Sequence, residues 1–277
     1  MAFVPQIPQK PLSSLLWTGG HRKFVMDTLF GNLDSIAIER LRTFAPGALA
    51  KRDAGYYVAY SGGKDSDVIL DLVRRSGVKY TAHYHVTTCD PPEVIKHIRT
   101  RLEVIFEQPP MTMWQLIKKK GMPPRRNRRF CCEKLKEGRG IDAMVVTGVR
   151  WEESSRRRSR RMIETCFRHK EKRFLNVIID WTSTDVWNYL RQRKISYCSL
   201  YDEGFKRLGC VLCPMTRDVE RQIQRWPHIA RKWENAVKAT FKPEKSGFRS
   251  AEDLWLWWLD RDSHAKQDDK QLMFFTD

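Results

Sequence analysis

The order of apolar and polar positions along the chain predicts strands that alternate with helices. Compact apolar runs of strand type lie at 56–60, 80–86, 143–147 and 174–179. Helical spacing of apolar residues follows the first two runs, over residues 67–75 and 93–102. Strands that alternate with helices are typical of a sheet whose strands are mainly parallel. We therefore predict an α/β fold with a mainly parallel twisted sheet and flanking helices.

The segments on either side of this alternation have a different pattern. Residues 34–44 are spaced as a short amphipathic helix that is expected to end at Ala45-Pro46. Further helical spacing occurs at 113–120, 181–191, 217–226 and 251–259. We therefore predict three regions, which are an N-terminal arm and helix (1–52), the α/β domain (53–180) and a helical, cysteine-containing C-terminal region (181–277).

The 277-residue chain has a large and localised positive charge. Lys and Arg number 51 against 33 Asp and Glu, and residues 99–175 hold 13 of the net +18. Such a balance is expected of proteins that bind polyanions. No apolar run reaches the roughly 20 residues that a membrane span needs, and residues 1–14 lack a signal pattern. We expect a cytoplasmic protein with no membrane partner.

A glycine-rich loop follows the first predicted strand of the α/β domain. It consists of Ser61, Gly62, Gly63, Lys64, Asp65 and Ser66. Glycines between a strand and a helix let backbone N–H groups face an anion, and the helix N-terminus adds positive potential. In such a loop the lysine neutralises phosphate oxygens, the serine hydroxyls donate hydrogen bonds, and the aspartate helps to hold Mg²⁺ or caps the helix. The alternative is a simple turn with a capping Ser or Asp.

The hexapeptide resembles the PP-loop of the ATP pyrophosphatase superfamily, whose members bind ATP and release pyrophosphate. Three later segments resemble the sulfonucleotide (PAPS/APS) reductases of that superfamily. The first is T-T-C-D-P-P-E at 87–93, which is similar to their D-T-G-x-x-F-P-E-T segment. The second is T-G-V-R-W-E-E-S at 147–154, which is similar to G-x-R-x-x-E/Q-S. The third is L-Y-D-E-G-F at 200–205 with G-C at 209–210, which is similar to L-Y-D-x-G-Y-x-S-I-G-C. The resemblance covers residues 53–215 and implies an adenine nucleotide alpha hydrolase-like fold.

The resemblance also implies functions for individual residues. Beyond the loop, it implies nucleotide contacts for Asp90, Gly148, Arg150 and Ser154. Catalytic functions fall to Lys64, Asp65 and Arg150, with ATP and Mg²⁺ as the implied ligands. The 53–180 region is accordingly expected to be the nucleotide-binding domain.

Four of the seven cysteines form two close pairs. They are Cys131, Cys132, Cys210 and Cys213. An odd number of cysteines with these spacings is more typical of metal ligands than of a disulfide framework. An adjacent pair together with a C-x-x-C pair resembles the four-iron cluster ligands of adenylylsulfate (APS) reductases. We expect a 4Fe-4S iron-sulfur cluster, with zinc as the less favoured occupant and unliganded buried thiols as a third interpretation.

One departure from the reductases concerns the reaction itself. The reductases have a catalytic cysteine in a C-terminal E-C-G-L-H segment, whereas no cysteine follows Cys213 in this sequence. The covalent S-sulfo intermediate of the reductases therefore has no evident site. The resemblance in fold carries over more safely than the resemblance in reaction.

Two arginine clusters flank the expected site. Arg125, Arg126, Arg128 and Arg129 precede the first cysteine pair, and Arg156, Arg157 and Arg158 follow the arginine element. One charge run alone is usually a solvated face. Two such runs beside a nucleotide loop favour a phosphate-rich substrate, so we predict that these arginines bind nucleic acid.

Three functions are compatible with these features. The first is ATP-dependent sulfur incorporation, which resembles the ATP pyrophosphatases of DNA phosphorothioation systems. A nucleic-acid acceptor, DNA in preference to tRNA, would be adenylated with release of pyrophosphate, and sulfur from a donor such as a cysteine desulfurase would then displace AMP. The second is a sulfonucleotide reductase that produces sulfite. The third is a non-catalytic nucleic-acid-binding module, which the intact loop opposes; we therefore predict the first.

Overall fold

A single six-stranded sheet organises residues 32–260, the part of the chain that the computed structural model describes. The strand order is β3-β2-β1-β4-β6-β5. The strands are Tyr56–Ala59 (β1), Tyr80–His85 (β2), Val104–Glu107 (β3), Met144–Thr147 (β4), Ile163–Thr165 (β5) and Arg173–Asn176 (β6). Neighbouring strands are parallel except β5 and β6, which are antiparallel. The predicted mainly parallel α/β fold is confirmed.

Helices connect and cover these strands. Within residues 32–260 they are Leu33–Leu49 (α1), Lys64–Ser76 (α2), Pro92–Arg99 (α3), Met113–Lys120 (α4), Phe130–Cys132 (α5), Ser155–Arg158 (α6), Ser183–Gln192 (α7), Val219–Arg225 (α8), Pro227–Lys238 (α9) and Ala251–Leu259 (α10). Single helical turns also occur at Glu133–Glu137, Trp151–Glu153 and Ser199–Tyr201. The described part of the C-terminal region, from Ser183 to Leu259, is mainly helical, as its periodicity predicts.

Helix α2 is at the centre of the packing. Its Val68, Ile69 and Leu72 side chains are fully buried, and each such burial contributes about 1.5–3 kcal/mol. Helices α1 and α7 both pack against α2. Helices α1 and α7, which belong to the predicted N-terminal and C-terminal regions, therefore share a core with the α/β domain. The region boundaries stay predictions, and the predicted arm over 1–31 and residues 261–277 lie outside the described residues.

The strand order creates a switch point beside β1. From β1 the chain passes through α2 to β2 and then to β3 on one side, and it returns to β4 on the other side of β1. Ligands of open α/β sheets bind at the carboxyl ends of the strands where the order reverses. The loop after β1 and the residues after β4 are therefore brought together.

The first helix is longer than its sequence predicts. It continues through Pro46 to Leu49 instead of ending at Ala45-Pro46. Proline cannot donate a hydrogen bond to the preceding turn. The next turn still forms because Ala48 is fully buried and the Ala50 N–H donates to the Pro46 carbonyl oxygen at 2.9 Å. Tertiary packing thus outweighs the local signal.

Other differences concern short or irregular elements. The run predicted as a strand over 174–179 is a strand only over Arg173–Asn176, and helix α2 begins at Lys64 within the glycine-rich loop. Strands β3 and β5 and helix α9 were not predicted. Strand β3 has four residues and lies at one edge of the sheet, where Ile105 is 47% exposed.

Candidate functional site

The loop between β1 and α2 is closed on itself by its own hydroxyl groups. The Ser66 hydroxyl donates to the Gly63 carbonyl oxygen at 2.7 Å, and the Ser61 hydroxyl donates to Ser66 Oγ at 3.3 Å. Gly62 has a φ of +73°, and a Cβ atom there would lie 2.8 Å from the Ile98 side chain. Only glycine fits this backbone. The loop therefore has the shape of an anion cradle at the N-terminus of α2.

Arg150, which follows β4, is joined to this loop by a buried ion pair. Its side chain is 4% exposed, and Nε donates to Asp65 Oδ1 at 2.7 Å. The other Asp65 oxygen accepts from Lys64 Nζ at 2.9 Å. A Cβ atom at Gly148 would lie 3.1 Å from Asp65 Cβ, so glycine at this position permits the close approach. The three predicted catalytic side chains thus form one contiguous group.

Both Asp65 oxygens are bound to cations in this arrangement. The carboxylate orients Lys64 and Arg150 and neutralises part of their charge. This is a positioning function in addition to the predicted magnesium contact. Magnesium binding by Asp65 stays a prediction.

A cavity of about 480 Å³ opens above this group. Its size is within the range of small-molecule sites. It is lined by the predicted residues Ser61, Gly63, Lys64, Asp65, Ser66, Gly148, Arg150 and Arg157, and by Ala59, Val149, Glu152, Glu153, Ser183, Tyr201, Lys206, Arg207 and Leu208. Sequence reasoning did not assign Tyr201, Lys206 or Arg207 to the site. The L-Y-D-E-G-F resemblance was the signal that pointed to this segment.

Three predicted nucleotide contacts do not line the cavity. Gly62 shapes the loop from below, and Asp90 lies on the side of the cysteines, where it accepts hydrogen bonds from Thr87. Ser154 begins α6, because its hydroxyl accepts the Arg157 N–H at 3.3 Å. These residues support the site without facing the cavity.

The four predicted metal ligands lie in one region. Cys131 and Cys132 belong to α5, and the Cys213 N–H donates to the Cys210 carbonyl oxygen at 3.2 Å. The hydrogen bond with Cys132, together with burial and the nearby Cys210 and Cys213, raises the pKa of Cys131. These mutual effects show that the four thiols are neighbours.

Cys210 is in contact with groups that stabilise its thiolate. A hydrogen bond from Cys89 and the nearby Lys136 ammonium lower the pKa of Cys210 to about 6, against the opposing effect of burial. The Cys210 sulfur lies 3.4 Å from the Thr87 hydroxyl, whose oxygen is also 2.7 Å from Asp90 Oδ1. The thiolate is the form of cysteine that binds metals. Cys89 and Lys136 were not predicted to belong to the site.

The chemistry of the donor set fits a metal centre only in part. Four neighbouring thiols are suitable ligands for iron or zinc. However, no three Cys, His, Asp or Glu side chains between residues 32 and 260 are arranged to hold a single metal ion. The iron-sulfur cluster and its zinc alternative therefore stay predictions.

One family model matches more than half of the chain. The family model described as the phosphoadenosine phosphosulfate (PAPS) reductase domain matches residues 55–216, a span that includes the loop, Arg150 and all four predicted metal ligands. The chain belongs to the PAPS reductase family.

Several proteins are similar to this PAPS reductase family member. An uncharacterised protein of Methanocaldococcus jannaschii is 30% identical over 217 residues, or 72% of this chain and 45% of the relative. The adenosine 5'-phosphosulfate reductase of Geobacillus kaustophilus is 29% identical over 202 residues, or 65% of this chain and 83% of the relative. The chain spans about half the length of the two relatives from M. jannaschii. The crystal structure of PAPS reductase from Candida auris in complex with phosphate is similar at a TM-score of 0.49 and 19% identity, and covers 63% of this chain and 87% of that one.

The first arginine cluster is only partly on the surface. Arg128 and Arg129 are exposed and Arg126 is half-buried. Arg125 is 7% exposed, with its guanidinium 6.0 Å from the centre of the Trp257 ring. Burial corrects the prediction for Arg125, because a buried guanidinium cannot contact a polyanion at the surface.

The second arginine cluster extends to the cavity. Arg156 and Arg158 are exposed, whereas Arg157 lines the cavity and is ion-paired with Glu153. Across the same cavity, Arg207 Nη2 lies 3.9 Å from the other Glu153 oxygen.

None of the helices between residues 32 and 260 has the length and apolarity that a membrane span requires.

Proposed function

We propose that this PAPS reductase family member is an ATP-dependent sulfur-incorporation enzyme with a nucleic-acid acceptor. The observation that carries the proposal is a single cavity that combines the PP-loop-like cradle with a cationic rim. Lys64 and Arg150 lie at its base, and Arg157, Lys206 and Arg207 lie along its wall. A nucleoside triphosphate needs the cations at the base, and a phosphodiester acceptor beside it would use the cations along the wall.

The proposed reaction consists of two successive displacements. An acceptor oxygen attacks the α-phosphorus of ATP in line, the bond to the β-phosphate oxygen breaks, and pyrophosphate leaves at the loop. A hydrosulfide-level sulfur nucleophile then attacks the adenylated acceptor atom, the bond to the AMP oxygen breaks, and AMP leaves with the former acceptor oxygen. Lys64 and Arg150 stabilise the charge that develops on the phosphates, because Asp65 holds both cations in place before ATP binds.

Magnesium and an iron-sulfur cluster are the proposed cofactors. Bound Mg²⁺ would neutralise pyrophosphate charge, and Asp65 is the loop carboxylate that would hold it. A cluster would be held by Cys131, Cys132, Cys210 and Cys213. The sulfur itself requires a donor, and a cysteine desulfurase is the class of partner that we propose. Its persulfide sulfur would be released as hydrosulfide by a thiol reductant, which is oxidised to a disulfide in the same step.

A second candidate is a sulfonucleotide reductase that produces sulfite. The named APS reductase relatives and the neighbouring cysteine pairs favour it. The sequence from residue 214 to residue 277 contains no cysteine to form an S-sulfo intermediate.

Release of AMP separates the two candidates. Anaerobically purified protein is incubated with α-labelled ATP, Mg²⁺ and sodium sulfide as the sulfur nucleophile, with and without DNA or tRNA, and AMP and pyrophosphate are measured. Stimulation by nucleic acid that is lost in Lys64→Ala and kept in Lys96→Ala supports the proposal, because Lys96 is an exposed lysine of α3 outside the cavity lining. Absence of AMP release with either polymer refutes it, and sulfite formation from APS or PAPS would then favour the reductase.

A further inference from the structure

The hydroxyl group of Tyr201 lies inside the phosphate cradle. It accepts the backbone N–H of Lys64, the first residue of α2, at 3.0 Å. Tyr201 comes from the helical turn Ser199–Tyr201, far along the chain from the loop. Its ring lines the cavity. A phenol group from another segment therefore accepts a backbone N–H of the loop that the sequence predicts to face an anion.

The ring is held in a fixed orientation by other aromatic side chains. Trp187 contacts it edge to face, with ring centres 5.2 Å apart, and Tyr197 contacts it with centres 6.2 Å apart. Such pairs are specific in geometry and stabilising. Burial raises the pKa of the Tyr201 hydroxyl, so the group keeps its proton at neutral pH. A rigid, protonated hydroxyl can donate a hydrogen bond to an anion.

The hydroxyl protons of the loop itself are already in use. The Ser61 proton goes to Ser66 Oγ, and the Ser66 proton goes to the Gly63 carbonyl oxygen. By contrast, no acceptor among residues 32–260 takes the Tyr201 proton, while its oxygen already accepts from Lys64. A Cβ atom at Gly63 would lie 3.3 Å from the Tyr201 oxygen, so the missing side chain leaves this hydroxyl open to the loop.

We propose that Tyr201 binds the pyrophosphate portion of the nucleotide by donating its hydroxyl proton to a phosphate oxygen. The Lys64 N–H that the phenol accepts makes its own proton more acidic and the donated hydrogen bond stronger. The inference rests on the proposed function, because it requires a nucleotide in this loop. It assigns the polyphosphate, rather than the adenosine, to the contact with Tyr201.

Tyr201→Phe tests the assignment, because it removes the hydroxyl and keeps the ring packing. Binding of inorganic pyrophosphate, ATP and adenosine is measured by calorimetry. A hydrogen bond to a charged group contributes about 1.5–3 kcal/mol, so we expect pyrophosphate and ATP to bind about 10-fold to 150-fold more weakly. Adenosine affinity should be unchanged.

The chain offers a matched control in the same aromatic group. Tyr197→Phe also removes a phenol, but the Tyr197 hydroxyl donates to Asp202 at 3.0 Å and does not line the cavity. It should leave all three affinities unchanged. Thermal unfolding of both variants shows whether the fold is intact.

Three results would overturn the inference in distinguishable ways. If Tyr201→Phe binds pyrophosphate as tightly as the wild type, Tyr201 does not bind the anion and the proposed function is unaffected. If the variant loses affinity for adenosine and pyrophosphate equally and also unfolds at a lower temperature, the hydroxyl only supports the Lys64 backbone. If the wild type itself binds neither ATP nor pyrophosphate, the proposed function fails as well.

Discussion

Replacement of Arg150 by lysine should destabilise the fold although the positive charge is retained. The guanidinium has three contacts, which are Asp65 at 2.7 Å, Glu152 at 2.9 Å and the Trp181 carbonyl oxygen at 3.3 Å. A lysine has one nitrogen at the end of a flexible chain and cannot reproduce the planar fork. We expect it to keep the bond with Asp65 and to lose the other two.

The magnitude follows from the burial of the lost partners. Glu152 is 50% exposed and can be solvated again, so its loss costs at most about 1 kcal/mol. The Trp181 carbonyl oxygen loses a buried donor, which costs about 1–3 kcal/mol. The two terms sum to about 1–4 kcal/mol in the free energy of unfolding. At roughly 2–4 °C per kcal/mol for a chain of this size, Tm should fall by about 2–16 °C.

Thermal unfolding by circular dichroism measures this change. The matched control is Arg158→Lys, the same substitution at an exposed arginine, where we expect a change within about 0.5 kcal/mol. Calorimetry with ATP should show weaker binding by Arg150→Lys as well, because the lysine keeps the charge beside Asp65 but lacks the planar fork that fixes its position. A Tm within about 2 °C of the wild type would refute our account of Arg150 as the residue that joins β4 to the loop.

Three further changes test other parts of the structure. Neutralising Lys206 and Arg207 together should weaken nucleic-acid binding and reduce the slope of log affinity against log salt concentration by about 2. An unchanged slope would exclude these two residues from the nucleic-acid interface. Cys132→Ser should abolish the brown colour of an iron-sulfur centre in anaerobically purified protein, whereas a colour equal to that of the wild type would exclude Cys132 as a ligand. Burial lowers the pKa of His85 from 6.5 to about 4. The contribution of neutral His85 to the free energy of unfolding should therefore be complete above pH 6.5 and be lost as the pH falls toward 4. Urea unfolding at pH 7 and pH 4.5 should therefore show a smaller loss for His85→Gln than for the wild type, and an equal loss would contradict the burial of a neutral His85.

The neutral state of His85 also follows from its hydrogen bonds. Its Nδ1 is 2.5 Å from the Lys136 carbonyl oxygen, which can only accept, so this nitrogen carries a proton. Its Nε2 is 2.5 Å from the Tyr57 hydroxyl, which then donates to it. Protonation of Nε2 would require the Tyr57 hydroxyl to turn and accept instead, so its own proton would lose this acceptor. Geometry and burial thus favour the same protonation state.

Local features of the sequence determined the elements and the cradle. The loop from Ser61 to Ser66 could be recognised because glycine conformations, helix starts and hydroxyl contacts depend on residues a few positions apart. The alternation of strands and helices was visible for the same reason, since each periodicity is carried by one segment. Strand β3 was missed although it is as long as β1, β4 and β6, because the helical spacing predicted over 93–102 continued almost to its first residue.

Only the tertiary structure decided which distant groups meet in the site. The contact between Arg150 and Asp65 spans 85 positions, and that between Tyr201 and Lys64 spans 137. Both result from the return of the chain to the other side of β1, which no local pattern specifies. The burial of Arg125 against Trp257 was hidden for the same reason, because exposure depends on what the rest of the chain places over a residue. The sequence therefore determined the chemical groups and their local geometry, and long-range packing selected which of them act together.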